Sequence, residues 1–304
     1  MGRLSARTKQ TLTFILKLVI SGAAIAFVVT KIDMAETWQK ITSVDWRYLL
    51  GALVIYTLSQ ILSAMRLNTL FVTLPLTLGS LMNIRLYWLG MFYNFFLPGG
   101  IGGDGYKVYY LKKHYRQSVK DLVRVILDDR LSGLAVILVY LLLFTSLGLD
   151  ELPLPYREFY WVLVPFVLLG YYLFLYLTCK ESTAVYFKVI LYSFVVQGLQ
   201  MAAASLILVS LAGWNASILN YMFLFLASSI ASAIPVTLGG IGAREMAFML
   251  GSSYLGTSEA IALSLCVLFY LTSLVSAIPG LSFVVRPALI EGKTEHKGSH
   301  LYQP

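Results

Sequence analysis

Two stretches of the chain place charged side chains directly beside clustered glycines. The first is Leu97-Pro98-Gly99-Gly100-Ile101-Gly102-Gly103-Asp104-Gly105, with Lys107 just beyond it. The second is Ile234-Pro235-Val236-Thr237-Leu238-Gly239-Gly240-Ile241-Gly242-Ala243-Arg244-Glu245. Their common core, Gly-Gly-Ile-Gly, recurs at an offset of 239 − 99 = 140 residues, close to half of the 304-residue chain. Glycine permits positive φ and close approach of backbone to a ligand. The apolar segments that follow would begin helices near Asp104 and Ala243, presenting free N–H groups and a positive dipole end to an anion such as a lipid phosphate. A plainer alternative is that the glycines only allow a tight hairpin or a close helix contact.

The charges beside the glycines have both signs. Lys107 and Arg244 could hold a phosphate, while Asp104 and Glu245 could hold an amine, couple to a proton, orient the basic residues or simply cap a helix. Asn94 and Asn83 lie in or near the first stretch, where an amide could cap broken backbone or touch a ligand. Arg130 could reach a cavity mouth, or snorkel in a local ion pair with Asp128 and Asp129. Those two acids are also the only support for a divalent metal and a transferase reaction on a lipid carrier. Gly100-Ile101-Gly102-Gly103-Asp104-Gly105 fits G-x-G-x-x-G, but no strand of a soluble βαβ unit precedes it, which excludes a dinucleotide site. His114, His296 and His300 have no metal-ligand spacing, and no P-loop, nucleophile elbow or zinc-protease pattern occurs. No cofactor is expected.

The elements that must position these residues are set by composition. With 58% hydrophobic residues, 12% charged residues and a mean hydropathy of +0.76, the chain cannot cover a soluble globule and reads as a polytopic membrane protein. Its balance of +8 does not point to nucleic acid, because the basic residues stand between apolar runs and act as topology signals or contacts to anionic lipid. Cys179 and Cys266 fall inside apolar segments and read as packing residues.

Charge order then gives a topology. A first span is expected over 11–30 with a cytoplasmic N-terminus, then an interfacial segment over 31–47 with Trp38 and Trp46 at headgroup level. A second span, 48–65, ends at Arg66, read with Arg85 as a marker of a cytoplasmic helix end. The apolar run 86–97 is short, stops at Pro98, and is followed by a basic loop from Lys107 to Arg130. Positive charge at both ends makes the first glycine stretch the tip of a re-entrant hairpin, tolerable where protein or water surrounds it. Spans at 131–149, 159–178, within 183–212 and at 259–285 follow, leaving 218–258 to start and end on the other side. The second glycine stretch would then enter from the opposite face. Alternatively, 218–234 and 243–256 are two crossings.

The expected fold is therefore all-α: one membrane domain over 1–304, built as an inverted repeat of about 11–149 and about 159–285, with a polar cytoplasmic tail at 286–304. Each half has about three spanning helices and a re-entrant Gly-rich hairpin, the broken-helix arrangement of many secondary transporters.

The motifs resemble those of the flippase-like membrane domain family, the transmembrane region of lysylphosphatidylglycerol synthases of the multiple peptide resistance factor type and their stand-alone relatives. The resemblance is carried by Asn94 through Asp104 leading into Lys107, by Asp129-Arg130, and by Pro235 with Gly239-Gly240-Ile241-Gly242-Ala243-Arg244-Glu245. Lys107 stands where many relatives have arginine and Asp129 where glutamate is common; Lys keeps the charge but cannot clamp a phosphate bidentately. The resemblance implies movement of a lipid between leaflets of the inner membrane, without the aminoacyl transfer that a separate soluble domain performs in full-length members. It implies a lipid site formed by Asn94, Pro98, Gly99, Gly100, Gly102, Gly103, Asp104, Lys107 and Arg130 from the first half. Pro235, Gly239, Gly240, Gly242, Arg244 and Glu245 complete it from the second. The expected partners are phospholipid headgroups, with a separate lipid-modifying enzyme and self-association left open. The rival readings are a membrane glycosyl- or aminoacyl-transferase and a scaffold whose basic loop docks a cytoplasmic synthase.

Overall fold

The structure is a computed structural model that describes residues 34–74, 76, 78–96, 102–115, 117–148, 155–214, 217–233 and 242–286, with isolated positions 19, 26 and 30. The span expected over 11–30, the tail beyond 286, and residues 97–101 and 234–241, which hold most of both glycine cores, lie outside the described residues, apart from those three positions. Every element among the described residues is helical. The α-helices are α1 (Met34–Thr42), α2 (Trp46–Phe71), α3 (Ser80–Phe96), α4 (Gly102–Tyr115), α5 (Val119–Gly148) and α6 (Val164–Thr178), followed by α7 (Tyr186–Ala212), α8 (Ile218–Ala233), α9 (Ala243–Tyr254), α10 (Glu259–Ala277) and α11 (Gly280–Val285). Short 3₁₀ turns at Arg157–Leu163 and Lys180–Val185 lead into α6 and α7.

Among the described residues, five helical stretches are long and apolar enough to cross a bilayer: Trp46–Phe71, Val119–Leu147, Glu158–Thr178, Lys180–Ala212 and Glu259–Val285. At 1.5 Å per residue even the shortest reaches about 30 Å, the thickness of the hydrocarbon core. Their outward faces carry large apolar side chains such as Leu58, Phe166, Leu177, Phe187 and Leu191, which a lipid environment tolerates and water does not. The protein is an integral membrane protein.

Small residues line the most extensive helix contact among the described residues, α2 against α7. Ala52, Ala203 and Ala204 are fully buried, and a Cβ on Gly51 would lie 3.2 Å from Leu206 Cδ1. Without bulk between them, backbones approach closely and van der Waals contact replaces the hydrophobic drive that lipid cannot supply. Asp45 caps α2 by accepting from Arg47 N–H at 2.9 Å, and its own N–H donates to Ser210 Oγ at 2.9 Å, so α2 begins where α7 ends. Ser264 Oγ donates to the Thr37 carbonyl at 3.3 Å and ties α1 to α10. Because α1 leads directly into α2, α2 and α10 start at the same end of the bundle.

The remaining helices form two hairpins around the glycine cores. The described residues of α3 and α4 number 17 and 14, and those of α8 and α9 number 16 and 12, so each described stretch is at most about 26 Å long. The first hairpin opens beside the C-terminal end of α2, where Asn83 Nδ2 donates to the Ala64 carbonyl at 2.6 Å and Asn68 Nδ2 to that of Leu78 at 3.4 Å. The second opens beside the start of α10, where Asn220 Nδ2 donates to the Leu255 carbonyl at 3.3 Å and Ser258 N–H to Tyr221 Oη at 3.1 Å. The two hairpins thus open at opposite ends of the bundle.

Two expectations fail here. α2 does not end at Arg66 but continues to Phe71, because the guanidinium finds a buried partner described below. The expected basic loop from Lys107 to Arg130 is almost wholly helical, with only residues 116–118 between α4 and α5. Lys112, Lys113 and His114 stand in the last turn of α4 and Asp121 in the first turn of α5, where each charge suits the helix dipole.

Candidate functional site

At the first hairpin, glycine serves contact before it serves a ligand. A Cβ on Gly103 would fall on the backbone of Gly90, and one on Gly90 would lie 2.6 Å from Lys107 Cε. The helices therefore touch backbone to backbone. Asn94 Oδ1 accepts from Gly103 N–H at 2.9 Å and closes the first turn of α4 across the gap. Of the two roles open to Asn94, this is the capping one.

The crossing delivers Asp104 and Lys107 to one spot. Lys107 Nζ donates to Asp104 Oδ1 at 3.2 Å and sits 4.3 Å from the centre of the Tyr87 ring; its side chain is nearly buried. Arg130, from α5, donates Nε to Asp104 Oδ2 at 2.7 Å and places a second nitrogen 2.6 Å from the same oxygen. Each carboxylate oxygen accepts from a cation, so Asp104 holds Lys107 and Arg130 together. Of these three residues, two are positive and one negative.

At the second hairpin the acid and base also divide their work. Gly242 has φ +87°, a conformation only glycine adopts freely. Its N–H donates to Glu245 Oε2 at 2.7 Å, the back-bond of a capping box. Arg244 turns the other way, donating Nε to Ser228 Oγ at 3.4 Å and Nη2 to Ser229 Oγ at 3.3 Å. Both serine hydroxyls spend their own hydrogens on the Phe225 carbonyl, at 2.7 and 2.8 Å. The guanidinium carbon lies 5.4 Å from the Phe225 ring and 5.1 Å from that of Phe269, a cation held on two aromatic faces. Among the described residues no carboxylate lies within ion-pair distance of Arg244.

The two hairpins meet on one turn of α10. Phe95, at the end of α3, stands edge-on to Tyr270 with ring centres 5.4 Å apart. Phe269, its neighbour, carries Arg244 and is also met edge-on by Tyr56 at 5.4 Å. Asn94, Gly102, Gly103, Asp104, Lys107, Arg130, Gly242, Arg244 and Glu245 are described; Pro98, Gly99, Gly100, Pro235, Gly239 and Gly240 lie outside the described residues.

One charged centre escapes the sequence reading. Arg66, buried in α2, donates Nε to Asp129 Oδ1 at 2.8 Å and Nη2 to Oδ2 at 3.1 Å, a bidentate pair inside the bundle. Its third nitrogen donates to Ser193 Oγ at 2.9 Å, and Ser193 in turn donates to Ser132 Oγ at 3.1 Å. The signal lay in spacing: Ser59, Ser63 and Arg66 recur at helical intervals along an otherwise apolar span, as do Asp129 with Ser132 and Ser193 with Gln197. Asp128, fully buried, accepts from Ser182 Oγ at 3.3 Å. The neighbouring carboxylates thus turn to different partners, and no group of three or more His, Cys, Asp or Glu suited to a metal occurs among the described residues.

Spanning helices that enclose a buried Arg66–Asp129 pair and pack against shorter helices carrying Lys107 and Arg244 define a polytopic membrane protein. The chain belongs to the family described as lysylphosphatidylglycerol synthase TM region, whose model matches residues 14–184. Family membership ties the protein to membrane lipid. The match takes in the first hairpin and Asp129-Arg130, while the second glycine stretch lies beyond it. No curated protein matches the sequence.

Proposed function

We propose that the protein moves an anionic or aminoacylated phospholipid between the leaflets of the cytoplasmic (inner) membrane, without covalent chemistry on the lipid. The observation that carries this reading is the meeting of two cation-bearing hairpins, one with Lys107 and Arg130 and the other with Arg244, on the Phe269–Tyr270 turn of α10. A negatively charged headgroup crossing the bilayer needs compensating charge near the midplane, and broken helices there can supply it. In this reading the hairpins are re-entrant and belong to inverted halves, both termini are cytoplasmic, and access alternates as one half rocks against the other. Movement runs down a gradient or is coupled to ions. Phospholipid headgroups are the ligand, with no nucleic acid partner; a separate enzyme would supply any modified lipid.

The test is a leaflet-exposure assay in reconstituted vesicles. Arg244→Ala is expected to lower lipid exposure at least tenfold, since a desolvated charged contact is worth more than about 1.4 kcal/mol. Equal exposure with wild type would remove Arg244 from the path.

A further inference from the structure

A cavity of about 270 Å³ lies at the end of the bundle where α2 stops and α3 and α7 begin, with none of the residues of the hairpin tips in its wall. Its polar lining is supplied by Asn68, Thr69, Ser80, Asn83, Lys188 and Tyr192. Lys188 stands in the first turn of α7, which holds no acidic residue, and no carboxylate among the described residues lies within ion-pair distance of it. A lysine there adds to the positive end of the helix dipole instead of offsetting it. Asn83 is 98% buried, since only 2% of it is exposed, and its Nδ2 is committed to the Ala64 carbonyl. That leaves Oδ1 without a hydrogen-bond partner among the described residues, ready to accept from a hydroxyl or amine. The cavity thus offers a cation for a phosphate and, beside it, an acceptor for a donor carried on that phosphate.

The surroundings decide the source of the phosphate. Leu58, Met65 and Val72 form an exposed apolar stripe on α2, and Phe187, Leu191 and Val195 form another on α7. Met65 and Val72 belong to the cavity wall as well as to the stripe. A headgroup seated at Lys188 would leave two acyl chains lying along surfaces that already face lipid.

We infer that this cavity binds the headgroup of an anionic phospholipid bearing a hydroxyl or amine, at a site separate from the hairpin tips and independent of whether the protein moves lipid. The lipid would wedge α2, α3 and α7 together at the level of one leaflet.

Native mass spectrometry of the purified full-length chain, titrated with phosphatidylglycerol, tests the assignment. Wild type and Lys188→Arg are each expected to retain one strongly held adduct. Lys188→Gln should weaken that adduct about fivefold, the effect of one basic residue at an anionic surface. The inference would be overturned by an unchanged adduct in Lys188→Gln, by an equally Lys188-dependent adduct with phosphatidylcholine, or by displacement of the lipid by glycerophosphoglycerol at matched concentration. The last would mean a free phosphate ester, not a lipid. Loss of the adduct in Arg244→Ala with retention in Lys188→Gln would also overturn it, by assigning the lipid to the hairpin tips.

Discussion

Arg66 and Asp129 are 63 positions apart and share a pair of hydrogen bonds in the middle of the bundle. Removing one partner strands the other, so Asp129→Asn is expected to cost about 3–5 kcal/mol, read as a lowered unfolding temperature in detergent. The joint replacement Arg66→Met with Asp129→Leu should recover most of that loss, because two apolar side chains leave no charge unpaired. Glu245 allows a sharper separation of roles. If its carboxylate only caps α9, Glu245→Gln keeps the acceptor and leaves stability and lipid exposure within twofold of wild type, whereas Glu245→Ala costs about 1 kcal/mol of stability. Lipid exposure abolished by Glu245→Gln, with stability intact, would instead assign the charge itself to the lipid or to a proton.

At the scale of elements the glycines of α4 are not equivalent. Gly103→Ala forces a Cβ onto the backbone of Gly90 and should destabilise the protein by about 1–3 kcal/mol. Gly105, two residues on, has nothing within 4 Å of the position a Cβ would take, and Gly105→Ala should be neutral or stabilising by up to about 1 kcal/mol. The unfolding temperatures of the two variants check the difference. Much of this element plan was legible in the sequence. The all-helical membrane character follows from composition, and the apolar runs marked out at 131–149, 159–178 and 259–285 fall on helices long enough to cross. What stayed hidden depended on distant partners. Nothing local to Arg66 distinguishes a snorkelling helix end from a buried ion pair; only the position of Asp129 decides it. Nor could the density of lysine and arginine between Lys107 and Arg130 reveal that the segment is helical, since charge there speaks to sidedness and not to backbone form. The same limit applied to Asp104, whose two cationic partners come from its own helix and from α5.

For the whole molecule, the basic side chains of Lys112, Lys113, Lys120 and Lys188 lie at the end where the first hairpin opens, and Trp214 lies at the other. Positive charge is retained on the cytoplasmic side. In a background lacking Cys179 and Cys266, a membrane-impermeant thiol reagent added to intact cells should therefore label Trp214→Cys and spare Lys120→Cys. The reverse pattern would invert the orientation proposed for the chain. The rocking proposed for the chain is bounded by the contact of Gly90 with Gly103. With no side chain between the two backbones, α3 and α4 have no clearance in which to slide or roll past one another. In the proposed rocking the pair would have to travel as a single bar, turning about its far end, where a Cβ on Gly79 would meet nothing within 4 Å.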